Sequence, residues 1–364
     1  MAGPPDRAAG REPGWHRPGL LLGFVLLSAV LAAALEALRL PAGLLIGPML
    51  VAMLFAARGR PVAIPRPLAQ AGQAVVGVLI ATAFTPALVH TVAARPLLFA
   101  ATTLATLSAS TTIGLLLTRQ QVLPGTAAIW GSMPGAATAM SLLAREHGAD
   151  PALVAAMSFG RVAAVAGLAS VLAALLGGHG GAARPSAEWF PPLDLLGIAE
   201  TIAIASAGSL LGRRLLPAGA LLGPLLLGAA LSLAGVAHVA LPGWLLAPAY
   251  ALVGWGIGRG FTRATLDAAR GALPRLLLAT GTLIDFCAAL SPVVAWAGHV
   301  DPLSAYLATS PGGADSVAII ASETKVDLPF VMAMQLLRFA TVLAAGPAIA
   351  RWAARRSGVH ETQS

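Results

Sequence analysis

GSMPGAATAM, residues 131–140, lies in a stretch apolar enough to enter a membrane, yet its centre, Met133-Pro134-Gly135, should break a helix. The break returns near the other end of the chain in ATSPGGADSV, residues 308–317, as Ser310-Pro311-Gly312-Gly313. Proline removes a backbone donor and clashes with the preceding turn, and glycine adds no side chain to hold a helix. Two such breaks at comparable places point to a shared design.

The surrounding chain is membrane material. At 57% hydrophobic and 10% charged residues, with a mean hydropathy of +0.81, 364 residues cannot hide their apolar surface in a soluble core. Ten apolar segments, 19–37, 41–57, 68–90, 97–118, 151–177, 193–212, 217–238, 244–258, 272–297 and 329–350, are long enough, or nearly so, to cross about 30 Å of hydrocarbon. The stretches 123–146 and 303–323, which hold the breaks, stand apart from these. The net charge of +8 comes from arginines in short loops, where membrane topology accounts for them without nucleic acid. Cys287 is the single cysteine, so no intrachain disulfide and no cysteine-based metal site is expected.

Both breaks belong to an internal repeat. LPAGLLIGPML at 40–50 returns as LPAGALLGPLL at 216–226, and beyond it the interval between the copies lengthens by a single position. Gly77, Phe84 and Thr85 recur as Gly254, Phe261 and Thr262; Pro134 and Gly135 as Pro311 and Gly312; Glu146 and Asp150 as Glu323 and Asp327; Arg161 as Arg338. The chain therefore divides into a cytoplasmic tail (1–18), a first membrane repeat (19–177), a Gly/Pro-rich linker (178–192), a second repeat (193–350) and a second cytoplasmic tail (351–364).

The basic residues decide how the halves face. If both broken stretches cross fully, the halves are parallel, and the basic residues outside helices divide 11 inside to 10 outside. If both dip in and return, each half has five spans, the second half is inverted, and the division becomes 17 to 4. The positive-inside rule favours the second arrangement, with both termini cytoplasmic in a cell inner membrane. The expected fold is all-α and polytopic: two inverted repeats of five transmembrane helices plus one broken or re-entrant segment each.

Non-helical backbone at membrane depth survives only where protein or a watery cavity meets its polar groups, and paired broken helices are a recurring way to build a midplane solute site. The candidate binding residues are Ser132, Pro134 and Gly135 in the first break and Thr309, Ser310, Pro311, Gly312, Gly313 and Asp315 in the second. Arg161 and Arg338 fall at equivalent places within their helices and need a partner: a carboxylate, the C-terminal carbonyls of a broken helix, or a bound anion. Asp285 has Ser108 as its equivalent, and an asymmetric acid in mid-helix is a candidate for proton or cation coupling, or for neutralising Arg161 or Arg338. The seven histidines are scattered and no nucleophile is paired with a base, so neither an enzyme, a metal nor a cofactor is expected.

MPGAATAMSLLAREHGAD and SPGGADSVAIIASETKVDLPFVMAMQLLR resemble the duplicated signature of the membrane AbrB-like family, whose members carry the labels ammonia monooxygenase or regulator of gene expression. The resemblance covers residues 20–350, and its second copy is the closer: Ala136 and Thr138 stand where that copy has Gly313 and Asp315. It implies a fold grouped with cation/proton antiporters. The expectation is a secondary transporter for a small solute, an anion among the candidates, coupled to H+ or Na+. The alternative is a membrane-embedded regulator without transport. Expected partners are membrane lipid and the solute, with no nucleic acid and with homo-oligomerisation left open.

Overall fold

In the computed structural model, residues 18–38, 43–135, 137–175, 189, 192, 194–216, 218–312 and 326–357 are described. These are all-helical, with no strand among them. The helices are α1 (Pro18–Ala37), α2 (Gly43–Ala57), α3 (Arg66–Ala81), α4 (Pro86–Ala94), α5 (Pro96–Arg119), α6 (Ala127–Ser132), α7 (Ala137–Glu146), α8 (Pro151–Leu175), α9 (Leu195–Leu215), α10 (Gly219–Leu233), α11 (Gly243–Gly258), α12 (Arg263–Gly298), α13 (Pro302–Thr309) and α14 (Leu328–Ser357). The tails beyond Pro18 and Ser357, and most of the expected linker, lie outside the described residues.

Local chemistry sets the helix starts. Pro86, Pro96, Pro151 and Pro302 each occupy a first helical position, where a missing N–H costs nothing. Asp150, Asp194, Asp301 and Asp327 accept from the backbone N–H groups of Ala152, Gly197, Ser304 and Phe330 at 2.8–3.0 Å, and so satisfy donors the first turn leaves free.

Among the described residues, five helices are long and apolar enough to cross a membrane: Leu20–Ala37, Pro96–Arg119, Leu195–Leu215, Thr265–Gly298 and Leu328–Arg356. The stretch 68–90, expected as one span, is instead α3 and α4 with a 51° bend, and makes a sixth if the pair is counted together. Thr85, whose hydroxyl accepts from Leu88 N, and Pro86 restart the helix there. In the second half the chain restarts at Thr262, but α12 then runs unbroken for 36 residues. Helices α2, α10 and α11 have 15, 15 and 16 residues, so they reach about 22–24 Å rather than a full 30 Å.

Packing sorts the helices into two bundles. In one, α10 lies on α9 and α3, α11 on α2 and α3, α1 on α2, and α3 on α9. In the other, α6 and α7 lie on α8, α5 on α6, α13 on α12 and α14, and α5 on both α12 and α14. The bundles meet mainly where α8 touches α11 and α2 touches α12. Trp130, Ile129, Met133, Met140 and Leu143, all of the second bundle, are among the most deeply buried large side chains, so the core gathers around the first break.

Glycine allows the first bundle its close approaches. A Cβ added at Gly254 of α11 would lie 2.5 Å from the Leu45 carbonyl oxygen of α2, and one at Gly77 of α3 would meet the Leu221 carbonyl of α10 more closely still. Helix–helix association in lipid depends on such backbone proximity, because apolar burial gives no advantage there. We expect Gly254→Ile to force α11 off α2 and cost about 1–3 kcal/mol, the usual scale of overpacking. The check is the melting temperature and monodispersity of the detergent-purified protein; an unchanged melting temperature would exclude this packing.

Candidate functional site

The two breaks share one backbone solution. Met133 (φ −62°, ψ 127°) and Ser310 (φ −54°, ψ 137°) are the residues before proline, and both leave the helix for the extended region. Proline's ring disfavours a helical ψ in its predecessor, so Pro134 and Pro311 dictate where α6 and α13 stop. Ending there strands the last carbonyls of two short helices deep in the protein: Ser132, Met133, Pro134, Gly135, Thr309, Ser310, Pro311 and Gly312 are all buried.

In the first break, Arg161 of α8 meets those carbonyls. Its Nη1 donates to Gly131 O and Ser132 O, each at 2.9 Å, and its Nη2 to Met133 O at 3.0 Å. Ser158, one turn earlier, donates to Gly131 O at 3.5 Å. The planar guanidinium spans three acceptors with donors held in a fixed fork.

The second break divides the same task between two side chains. Arg338 of α14 donates through Nη1 to Thr309 O at 3.2 Å and through Nη2 to Gln335 Oε1. Gln335 Nε2 donates to Leu307 O at 2.7 Å and Ser310 O at 3.2 Å. Gln335 stands to Arg338 as Ser158 stands to Arg161, so the position three before the arginine supplies a donor at both breaks. Sequence reasoning passed over both residues. The signal was a polar side chain three residues before the arginine, on its face of the helix, in MAMQLLR.

The hydroxyls named as candidate ligands face their own helices. Ser132 Oγ donates to Ile129 O at 2.9 Å, Ser310 Oγ to Leu307 O at 3.0 Å, and Thr309 Oγ1 to Ala305 O at 3.0 Å and across to Cys287 O of α12 at 3.1 Å. Gly135 has room: an added Cβ would make ordinary 3.4 Å contacts with Met140 and Val342. Arg161 and Arg338 are each 2% exposed, and the Nε of each is buried with no hydrogen-bond partner among the described residues. The two charges lie within electrostatic range of each other, with Cys287 near both. Helix α6 touches both α8 and α14, and so does α13, which draws both breaks and both arginines into one cluster.

Asp285 stands outside that cluster. It is exposed on α12 and forms no hydrogen bond or ion pair among the described residues. Gly313 and Asp315 fall outside the described residues.

Removing the Arg161 side chain leaves Ser132 O without a donor among the described residues, at about 1–3 kcal/mol, and leaves Gly131 O with only Ser158 at 3.5 Å and Met133 O with only the Gly135 N–H at 3.0 Å. Arg161→Met should therefore lower the melting temperature sharply, with Arg161→Lys intermediate. Protease resistance of the break in the detergent-solubilised protein gives the readout, and wild-type resistance of the methionine variant would refute the assignment.

Residues 44–354 match the family described as "Transition state regulatory protein AbrB", a span that takes in both breaks and both arginines. A protein of Escherichia coli (strain K12) named "Putative regulator AbrB" is 41% identical over 330 residues, covering 90% of this chain and 94% of that protein.

Proposed function

The chain belongs to the AbrB family, and from that premise we propose that it is a secondary transporter of a small anionic solute in the inner membrane, with both termini cytoplasmic. The observation that carries this reading is the pair of broken helices whose C-terminal carbonyls are already capped by buried guanidinium groups. A helix C-terminus bears partial negative charge and would otherwise attract cations. With both such ends occupied by arginine, the charge that the described residues leave at the cluster is positive. Helix α7, which resumes after the first break, has no acid in its first turn, so its N-terminal amides add to the same sign. An anion is the solute this arrangement suits, and no covalent step is assigned to it. Of the described acids within spans, Glu36, Glu200, Asp267 and Asp285, Asp285 lies farthest from a helix end and is the candidate to couple flux to H+ or Na+.

Duplication and inversion form part of the proposal. The starts of α2 and α10 keep the interval that separates the LPAG stretches, and those of α3 and α11, α4 and α12, and α8 and α14 keep the interval that separates Arg161 from Arg338. The Gly254–Leu45 and Gly77–Leu221 approaches are the same contact made once in each direction. Three hydrogen bonds support inversion: Arg213 Nη1 to Gln70 Oε1 at 2.8 Å, Arg263 Nε to Ala57 O at 3.0 Å, and Thr265 Oγ1 to Asp150 Oδ2 at 3.2 Å. Each joins groups that inverted halves put on the cytoplasmic side; parallel halves would separate at least the first two pairs by the membrane's thickness.

The names of the family and of the relative favour a second reading, a regulator that binds the same solute and acts on gene expression without moving it. Proteoliposomes on a solid-supported membrane, challenged with a panel of small anions and cations, separate the two. We expect transient currents with at least one anion and none with Gly312→Leu, which fills the second break. Binding without current would favour the regulator, and currents with cations alone would sink the anion assignment.

Orientation has its own test in a Cys287→Ala background. A membrane-impermeant thiol reagent applied to intact cells should label Leu328→Cys and leave Glu146→Cys untouched until the cells are opened. Equal labelling of both would exclude inverted halves.

A further inference from the structure

Away from the breaks, in the other bundle, an open groove of about 500 Å³ runs between α3 and α9. Small residues make it: Ala71 and Ala74 on α3 and Ala205 on α9 leave space where larger side chains would interlock. Val75, Ile202 and Leu210 give it apolar walls.

One end of the groove is cationic. Arg213 is held at its mouth by donating to Gln70 Oε1 at 2.8 Å and, through Nε, to Ser209 O at 3.2 Å, yet it stays exposed. Arg214 follows it, and Arg66 begins the helix that carries Gln70. No acid occurs between Glu36 and Glu146 in sequence, so the α2–α3 loop beside this end brings no carboxylate to offset the three arginines.

The groove's length matches half a bilayer. From Arg213 to Ile202 is 11 residues of helix, about 16 Å, and half of a roughly 30 Å hydrocarbon core is about 15 Å. The fold does not require its polar end: the positions that the repeat makes equivalent to Ser209, Arg213 and Gln70 are Ala33, Ala37 and Ala247. The corresponding α1–α11 interface is filled by Phe24 and Trp255, whose rings sit 5.1 Å apart.

We propose that this groove binds one anionic phospholipid, with an acyl chain lying between α3 and α9 and the phosphate resting on Arg213 beside Arg214 and Arg66. Basic pockets between transmembrane helices recognise anionic headgroups by charge, and apolar depth retains the chain. The site stands apart from the breaks and does not depend on what they carry.

Native mass spectrometry of the full-length protein in neutral detergent tests this with dioleoylphosphatidylglycerol, dioleoylphosphatidylcholine and inorganic phosphate. The anionic lipid should be retained in preference to the neutral one. Arg213→Ala should weaken that retention about fivefold, the scale of one cation near an anionic headgroup. Ser206→Trp, an exposed position on the groove wall, should weaken both lipids, and it keeps the test alive if the arginine variant fails to fold. Equal retention of the two lipids, full competition by phosphate alone, or wild-type retention in both folded variants would each overturn the proposal.

Discussion

A carbonyl at the end of a helix in hydrocarbon has no water to bond, and this chain ends two helices well inside its membrane bundle. Arg161 answers one end and the Arg338–Gln335 pair the other. The magnitudes explain why arginine is tolerated there. Inserting an arginine at mid-helix costs about 2.5–3.5 kcal/mol, and a buried carbonyl left wholly without a partner costs about 1–3 kcal/mol. The guanidinium thus offsets part of its own burial cost, provided the break exists to receive it. Break and arginine are mutually dependent.

The two bundles follow different rules. The one built from α1, α2, α3, α9, α10 and α11 is held by backbone approach at glycine, with many leucine side chains of α1 and α9 left outward. The other buries two short helices that end in mid-bundle and meets their last carbonyls with side chains of its own. One hydrophobic core nevertheless runs through both, joining Leu45, Leu221 and Ile257 of the first to Trp130, Met140 and Leu153 of the second.

Much of this was legible in sequence because it is one-dimensional. Pro134 and Pro311 fix the breaks through their own covalent geometry, and Arg161 and Arg338 stand out as charges in apolar helices that recur at a fixed interval. The C-terminal carbonyls of a broken helix were one of three partners the sequence left open for those arginines, and only three-dimensional packing selects among them. Gln335 escaped notice because one uncharged polar residue in a helix has no periodic signature. The bend between α3 and α4 was missed because apolar composition continues through it; Thr85 and Pro86 break the hydrogen-bond ladder without changing hydropathy. Asp285 read as an interior acid because sequence shows depth along a helix but not the side of the helix that faces its neighbours.

Arg161 and Arg338 each lie ten residues into their helices, about 15 Å along the axis, which is half the thickness of a hydrocarbon core of about 30 Å. A charge held at that depth sits inside the transmembrane voltage drop rather than at its edge. Moving one elementary charge through 100 mV involves about 2.3 kcal/mol. Were the bundle that carries both guanidinium groups to shift by a third of the membrane's thickness, the voltage would contribute about 1.5 kcal/mol, a roughly tenfold bias between the two positions. The resting potential of the cell would then favour one position of that bundle before any solute arrived.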